Sequence, residues 1–197
     1  GHHFEDRELP MNTEAIRANY SSAGIEIIEK MYTDDYLSIG GVESTRILAE
    51  LASIASSTRV LDVGSGLGGP ALYVAQTFEC HVVGIDLVDV NVAEATRRAT
   101  ARGLSQWATF ETADATALPF NDASFDLVIG QDAWCHVDDK DALLGEVTRV
   151  LKPGGKIAFT DWVITGQIGE TDARTRGRVL DAAASPAMIT AAHYLEL

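Results

Sequence analysis

From Arg59 onward, short apolar runs rich in Val and Ile alternate with longer stretches whose apolar residues fall at helical spacing. Strands of a parallel sheet are buried on both faces and read as unbroken apolar runs, so the alternation predicts repeated strand-helix units. Five strands are expected, at Arg59–Val63, His81–Asp86, Ala108–Glu111, Phe125–Gln131 and Lys156–Asp161. Helices are expected between them at Pro70–Phe78, Asn91–Arg102 and Lys140–Leu151. The last is ended by Lys152-Pro153-Gly154-Gly155, because Pro and Gly stop a helix. Ahead of the sheet, Thr13–Met31 and Val42–Ala55 have helical spacing, are separated by Gly40-Gly41, and read as a lid or cap. The expected fold is α/β, a Rossmann-like doubly wound and mostly parallel sheet with an N-terminal helical lid. Residues 1–57 form the lid, headed by Gly1, His2 and His3 as a tag remnant, and residues 58–197 form the core.

Composition narrows this picture. A chain of 197 residues that is 46% hydrophobic supports one sizeable core and is too short for two ordinary domains. The formal charge of -14 excludes partners gripped through phosphates, since that grip needs clustered Lys and Arg, so nucleic acid is not expected. Cys80 and Cys135 lack the paired spacing of a zinc site and are too few for a disulfide framework. They read as apolar fillers in a cytoplasmic protein. No apolar run approaches the roughly 20 residues that span a bilayer.

The chemistry is concentrated where strands end. Val60-Leu61-Asp62-Val63-Gly64-Ser65-Gly66-Leu67-Gly68-Gly69-Pro70 places a glycine turn between a strand and a helix, where a ligand can approach bare backbone. Gly64, Gly66 and Gly69 also satisfy the dinucleotide pattern, so a nicotinamide or flavin oxidoreductase has to be weighed. Asp62 decides between them: a carboxylate two residues before the first glycine repels a pyrophosphate and attracts the cationic amino group of S-adenosylmethionine. Asp86, about twenty residues on, can accept from both ribose hydroxyls. Asp114 can accept from the adenine amino group. Asp62, Asp86, Asp114, Asp132 and Asp161 all fall at or just past the carboxyl ends of strands, the ligand-binding edge of open parallel sheets. Asp161 can equally cap the following turn and is not counted in the site. Gly68, Gly69 and Pro70 read as turn and helix-start residues. The acids come from different strand ends without compact metal-ligand spacing, so no metal is expected.

Val60 to Pro70, Val83 to Asp86, Phe125-Asp126-Leu127-Val128 and Arg149-Val150-Leu151-Lys152-Pro153-Gly154-Gly155 together resemble the signature of class I S-adenosylmethionine-dependent methyltransferases. Within that family, Tyr36-Leu37-Ser38-Ile39-Gly40-Gly41, the glycine loop and Gln131-Asp132-Ala133-Trp134-Cys135-His136 resemble phosphoethanolamine N-methyltransferases and sarcosine/dimethylglycine methyltransferases. The resemblance implies that Leu37 and Ser38 close over the cofactor. It places Asp62, Gly64, Ser65, Gly66, Asp86, Leu87, Asp114 and Ala115 along the cofactor pocket, with Gln131 and Asp132 beside the transferred methyl. It further implies a catalytic pair, Tyr20 on the lid and His136 after strand four, with packing roles as the alternative. The product would be S-adenosylhomocysteine and the acceptor a small molecule, most simply an amine. O- or C-methylation of a natural product or lipid-like molecule is the other option on the same core.

Ala184-Ser185-Pro186-Ala187-Met188 carries no basic group where the phosphoethanolamine enzymes hold their phosphate, which points to an uncharged or zwitterionic amine. Trp162 replaces a family tyrosine and offers an indole face for a cation. The family's fold usually ends in an antiparallel strand pair beside strand five, and none follows here. The natural chain is therefore expected to continue past Leu197, or the bare edge to pair two copies as a homodimer.

Overall fold

The computed structural model describes residues 35–163 and 191–197. The helix expected at Thr13–Met31, Tyr20 and the stretch 184–188 lie outside them. In chain order the elements are α1 (Gly41–Ala52), β1 (Arg59–Val63), α2 (Gly69–Phe78), β2 (His81–Asp86), α3 (Asp89–Ala101), β3 (Ala108–Thr112), β4 (Phe125–Gln131), a 3-10 turn (Trp134–His136), α4 (Lys140–Val150), β5 (Leu151–Thr160) and α5 (Ala191–Tyr194). The strands form one sheet in the order β3-β2-β1-β4-β5, and every pair is parallel. The order reverses between β1 and β4, and ligands of such sheets bind at the carboxyl ends beside that point.

Alternation along the strands divides the core. Val60, Val82, Leu127 and Ile129 face the layer holding Leu72, Ala75 and Ala99, whereas Leu61, Val63, Ile85 and Val128 face Leu143, Val147 and Val150 of α4. Leu61, Val60 and Val128 are fully buried, each contributing about 1.5–3 kcal/mol by leaving water. Helix α1 packs on α2, β4 and β5, burying Leu48, Ala49 and Ala52. The Lys156 ammonium donates to the Ala52 carbonyl at 2.8 Å.

The last helix-strand junction differs from expectation. α4 stops at Val150 and β5 starts at once at Leu151, five residues earlier than the expected Lys156. Leu151 pairs with Phe125, the register then shifts, and pairing resumes at Leu127 with Lys156. Pro153 and Gly154 thus form an irregularity inside the strand instead of a separator. Asp126 holds the region, accepting from Arg59 N at 2.9 Å and Lys152 Nζ at 2.8 Å. Among the described residues β4 is the only strand beside β5.

Candidate active site

Where β1 ends, the chain turns back under the end of β2. The Gly64 and Ser65 amides both donate to the Ile85 carbonyl, at 2.9 and 2.8 Å. Gly64 has a φ of 84°, and a Cβ there would stand 2.3 Å from the Ala133 methyl. No side chain fits. Gly69, expected only as a helix-start residue, has a second constraint: a Cβ would lie 2.7 Å from the Asp35 carbonyl oxygen and 3.0 Å from the Tyr36 ring. The segment 35–38 therefore crosses the glycine loop as a strap, with Leu37 against Gly66. Asp35 ties the strap to α3 through Arg98 at 2.9 Å and through Arg102.

Strap, glycine loop and the ends of β2, β3 and β4 enclose a cavity of about 400 Å³, large enough for a small-molecule ligand. Most of the expected site residues line it. From the strap come Leu37 and Ser38; from the glycine loop, Gly64, Ser65 and Gly66; after β2, Asp86 and Leu87; after β3, Asp114 and Ala115; and from β4 onward, Gln131, Asp132 and His136. Asp62 is placed otherwise. It is fully buried, one layer behind the lining, and no donor reaches full hydrogen-bond geometry with either oxygen, the Ala71 amide being the nearest to doing so. Burial raises its carboxyl pKa to about 7, with the Asp86 charge adding and the Ala71 amide opposing.

Asp86 sits deeper in hydrogen bonds than the sequence indicated. Its Oδ2 accepts from Gly66 N at 2.9 Å, and its Oδ1 from Val88 N at 2.8 Å and the Asn91 amide at 3.2 Å. Burial raises its pKa, while these donors and nearby His136 lower it. Oδ2 retains acceptor capacity toward the cavity. Asp114 Oδ1 accepts from Thr116 N and Oγ1 at 2.8 and 2.7 Å, leaving Oδ2 available. Gln131 donates from its side-chain nitrogen to Ser38 Oγ at 2.7 Å and Gly41 O at 2.9 Å, so both amide hydrogens are used inside the protein.

His136 stands on the 3-10 turn after β4, which is braced from below. Trp134 folds back under Gly130, donates to the Val63 carbonyl at 3.2 Å and stacks on Phe159 with ring centroids 4.4 Å apart. Asp161 caps the turn, accepting from Cys135 N at 3.0 Å and from the Tyr194 hydroxyl. Asp132 has a left-handed backbone, φ 53°, and burial raises its carboxyl pKa, with the Asp161 charge adding to it. Asp35, Asn91, Asp138 and Asp139 also line the cavity and were missed. Asn91, five residues after Asp86 at the start of a helix, was the one with a usable signal. Among the described residues no group of His, Cys, Asp or Glu is placed to hold a metal ion.

A family model described as a methyltransferase domain matches residues 61–159. Phosphoethanolamine N-methyltransferase 1 of Arabidopsis thaliana is 40% identical over 143 residues, which are 73% of this chain and 29% of that protein. A glycine/sarcosine/dimethylglycine N-methyltransferase of Actinopolyspora halophila is 39% identical over 114 residues, 58% of this chain and 20% of that protein. The structure of Haemonchus contortus phosphoethanolamine N-methyltransferase 2 in complex with phosphomonomethylethanolamine and S-adenosylhomocysteine superposes with a TM-score of 0.83 at 25% identity, covering 97% of this chain and 44% of that one. The chain thus spans less than half the length of each of these relatives.

Proposed function

The chain belongs to the methyltransferase domain family, and from that premise we propose that it binds S-adenosylmethionine in the carboxyl-edge cavity and transfers the methyl group to the nitrogen of a small amine. The observation carrying this reading is the charge of the wall. Asp86, Asp114, Asp132, Asp138 and Asp139 line the cavity beside the arginine-paired Asp35, and among the described lining residues there is no lysine or arginine. Such a wall attracts a cation and opposes a pyrophosphate, which weighs against a nicotinamide enzyme.

The donor set fits the cofactor. The remaining acceptor capacity of Asp86 suits ribose hydroxyls, and Asp114 Oδ2 suits an adenine amino group. Ser65 lines the cavity, its buried Oγ without a partner among the described residues, and Asp62 lends charge from behind the glycine loop. When bound, S-adenosylmethionine supplies a methyl carbon activated by its sulfonium. The protein is left with alignment, exclusion of water and removal of a proton. Leu37 and Ser38 cover the cavity, Asp132 faces the acceptor side, and His136 takes the proton from the acceptor amine. Tyr20, outside the described residues, is the proposed second member of the catalytic pair.

With no basic lining residue described, a neutral or zwitterionic amine suits the wall better than a phosphorylated one. Two cysteines, Cys80 and Cys135, too few for a disulfide framework, suit a cytoplasmic enzyme, and no described helix is long and apolar enough to cross a membrane. A homodimer through the β5 edge would be read by light scattering. The function is tested by incubating the protein with methyl-labelled S-adenosylmethionine and ethanolamine, glycine, sarcosine or phosphoethanolamine. Label in an N-methyl product is expected. Label only on oxygen or carbon of other acceptors would overturn the amine assignment, and no cofactor binding would overturn the whole reading.

A further inference from the structure

Resting on that cofactor reading, we infer that Thr45 is a positioning residue: it fixes the direction of the Ser38 hydroxyl proton and so the recognition of the cofactor's carboxylate. Thr45 lies on α1, outside every motif in the chain. The argument begins at the Gly41 carbonyl, which can only accept. It lies 2.9 Å from the Gln131 side-chain nitrogen, so that amide must present its NH₂ to α1 and its oxygen to Thr45. The second NH₂ hydrogen goes to Ser38 Oγ, 2.7 Å away. Gln131 Oε1 then takes the Thr45 proton across 2.7 Å. A threonine has one proton to give, and the 2.7 Å contact to an oxygen that can only accept claims it over the longer contacts to the Tyr36 hydroxyl at 3.2 Å and the Gly41 carbonyl at 3.4 Å. The Gly41 carbonyl sets which way the Gln131 amide faces, and the Thr45 proton given to Oε1 holds it there.

The consequence appears at Ser38. Its oxygen already accepts from Gln131, so its own proton is directed elsewhere, and among the described residues it meets no acceptor. Ser38 lines the cavity, whose charged side chains are carboxylates that cannot bind an anion. A hydroxyl donor on the strap is therefore suited to the carboxylate of the ligand, its one anionic group. Tyr36, Ser38, Thr45 and Gln131 are all buried, between 1% and 7% exposed, which leaves little water to replace a lost partner. Without the Thr45 hydroxyl, Gln131 Oε1 is orphaned, and the amide no longer holds Ser38 in one orientation.

The test compares S-adenosylmethionine with its decarboxylated form by calorimetry, using the parent chain, Thr45→Val, Thr45→Ser and Ser38→Ala. The parent should prefer the carboxylate-bearing ligand by roughly tenfold, the size of one charge-assisted hydrogen bond. Thr45→Val and Ser38→Ala should lose most of that preference while still binding the decarboxylated ligand, and Thr45→Ser should keep it. A Thr45→Val variant that weakens both ligands equally would show a packing role and overturn the inference, as would a preference retained in either variant. If Thr45→Val does not fold, Ser38→Ala still decides whether this hydroxyl reads the carboxylate, and Thr45→Ser must keep the preference. A parent that binds neither ligand would fail at the cofactor assignment itself, a result distinct from the others.

Discussion

Asp62→Asn should gain stability relative to the parent as pH rises from acid to alkaline. The Asp62 carboxyl is fully buried without a well-formed hydrogen bond, and its pKa is raised from 3.8 to about 7, by burial first and the Asp86 charge second, against the weaker pull of the Ala71 amide. Between those values the folded state retains a proton that the unfolded chain has released. Stability therefore falls as pH rises through this window, and the loss is complete above about pH 7. Three pH units at about 1.36 kcal/mol each amount to about 4 kcal/mol, of which about 3 kcal/mol falls above pH 5. The variant has no such titration. Whatever its buried amide costs is independent of pH and cancels when variant and parent are compared at two pH values. Urea unfolding at about pH 5 and about pH 8.5 should show the variant gaining about 3 kcal/mol on the parent. A gain below about 0.5 kcal/mol would refute the buried, unpartnered carboxylate. A cation in the cavity has the opposite effect on Asp62, so the parent's affinity for S-adenosylmethionine should rise with pH up to about 7, and the variant's should lack that rise.

Asp86→Ala removes the acceptor for Gly66 N, Val88 N and Asn91 along with the proposed ribose bonds. Calorimetry should show S-adenosylmethionine affinity reduced at least tenfold, and an unchanged affinity would remove Asp86 from the site. Gly64→Ala places a methyl 2.3 Å from Ala133 at a positive φ, so denaturant unfolding should report a loss of about 2 kcal/mol or more. Once an acceptor is identified, His136→Ala should lower turnover by about 10² to 10⁴ with cofactor affinity nearly unchanged. Unchanged turnover in both His136→Ala and Tyr20→Phe would eliminate that pair.

Three strands, β1, β2 and β4, have the ends their sequences indicate, because strands buried on both faces are bounded where the apolar run meets glycine or charge. β5 was misjudged because Pro153 and Gly154 punctuate most chains, whereas here they lie within an irregular strand that pairs on both sides of them. Among site residues, spacing located the acids along the chain but carried no depth. Asp86 reaches the cavity and Asp62, equally well placed by motif, lies behind its wall. Gln131 was legible as a residue at the end of β4, but its commitment to Ser38 and Gly41 depends on α1, some 90 residues away. Thr45 was illegible for the same reason: a lone threonine in an amphipathic helix gives no local sign of a partner on a distant strand.

Three consecutive residues after the core of β4 serve three walls of the cavity. Gln131 turns its side chain to α1 and the strap. Asp132, at φ 53°, reverses the local handedness while its amide still donates to the Thr160 carbonyl at 2.9 Å, so pairing with β5 persists through the turn. Ala133 then occupies the space left by Gly64. A non-glycine residue in this region costs on the order of 1 kcal/mol and persists only where its surroundings over-determine it. Here they do, since Trp134 is wedged under Gly130 and Asp161 holds the Cys135 amide. The strap, the glycine loop and the histidine turn consequently meet at one braced junction, and whatever seats the strap also braces the backbone that presents Asp132 and His136.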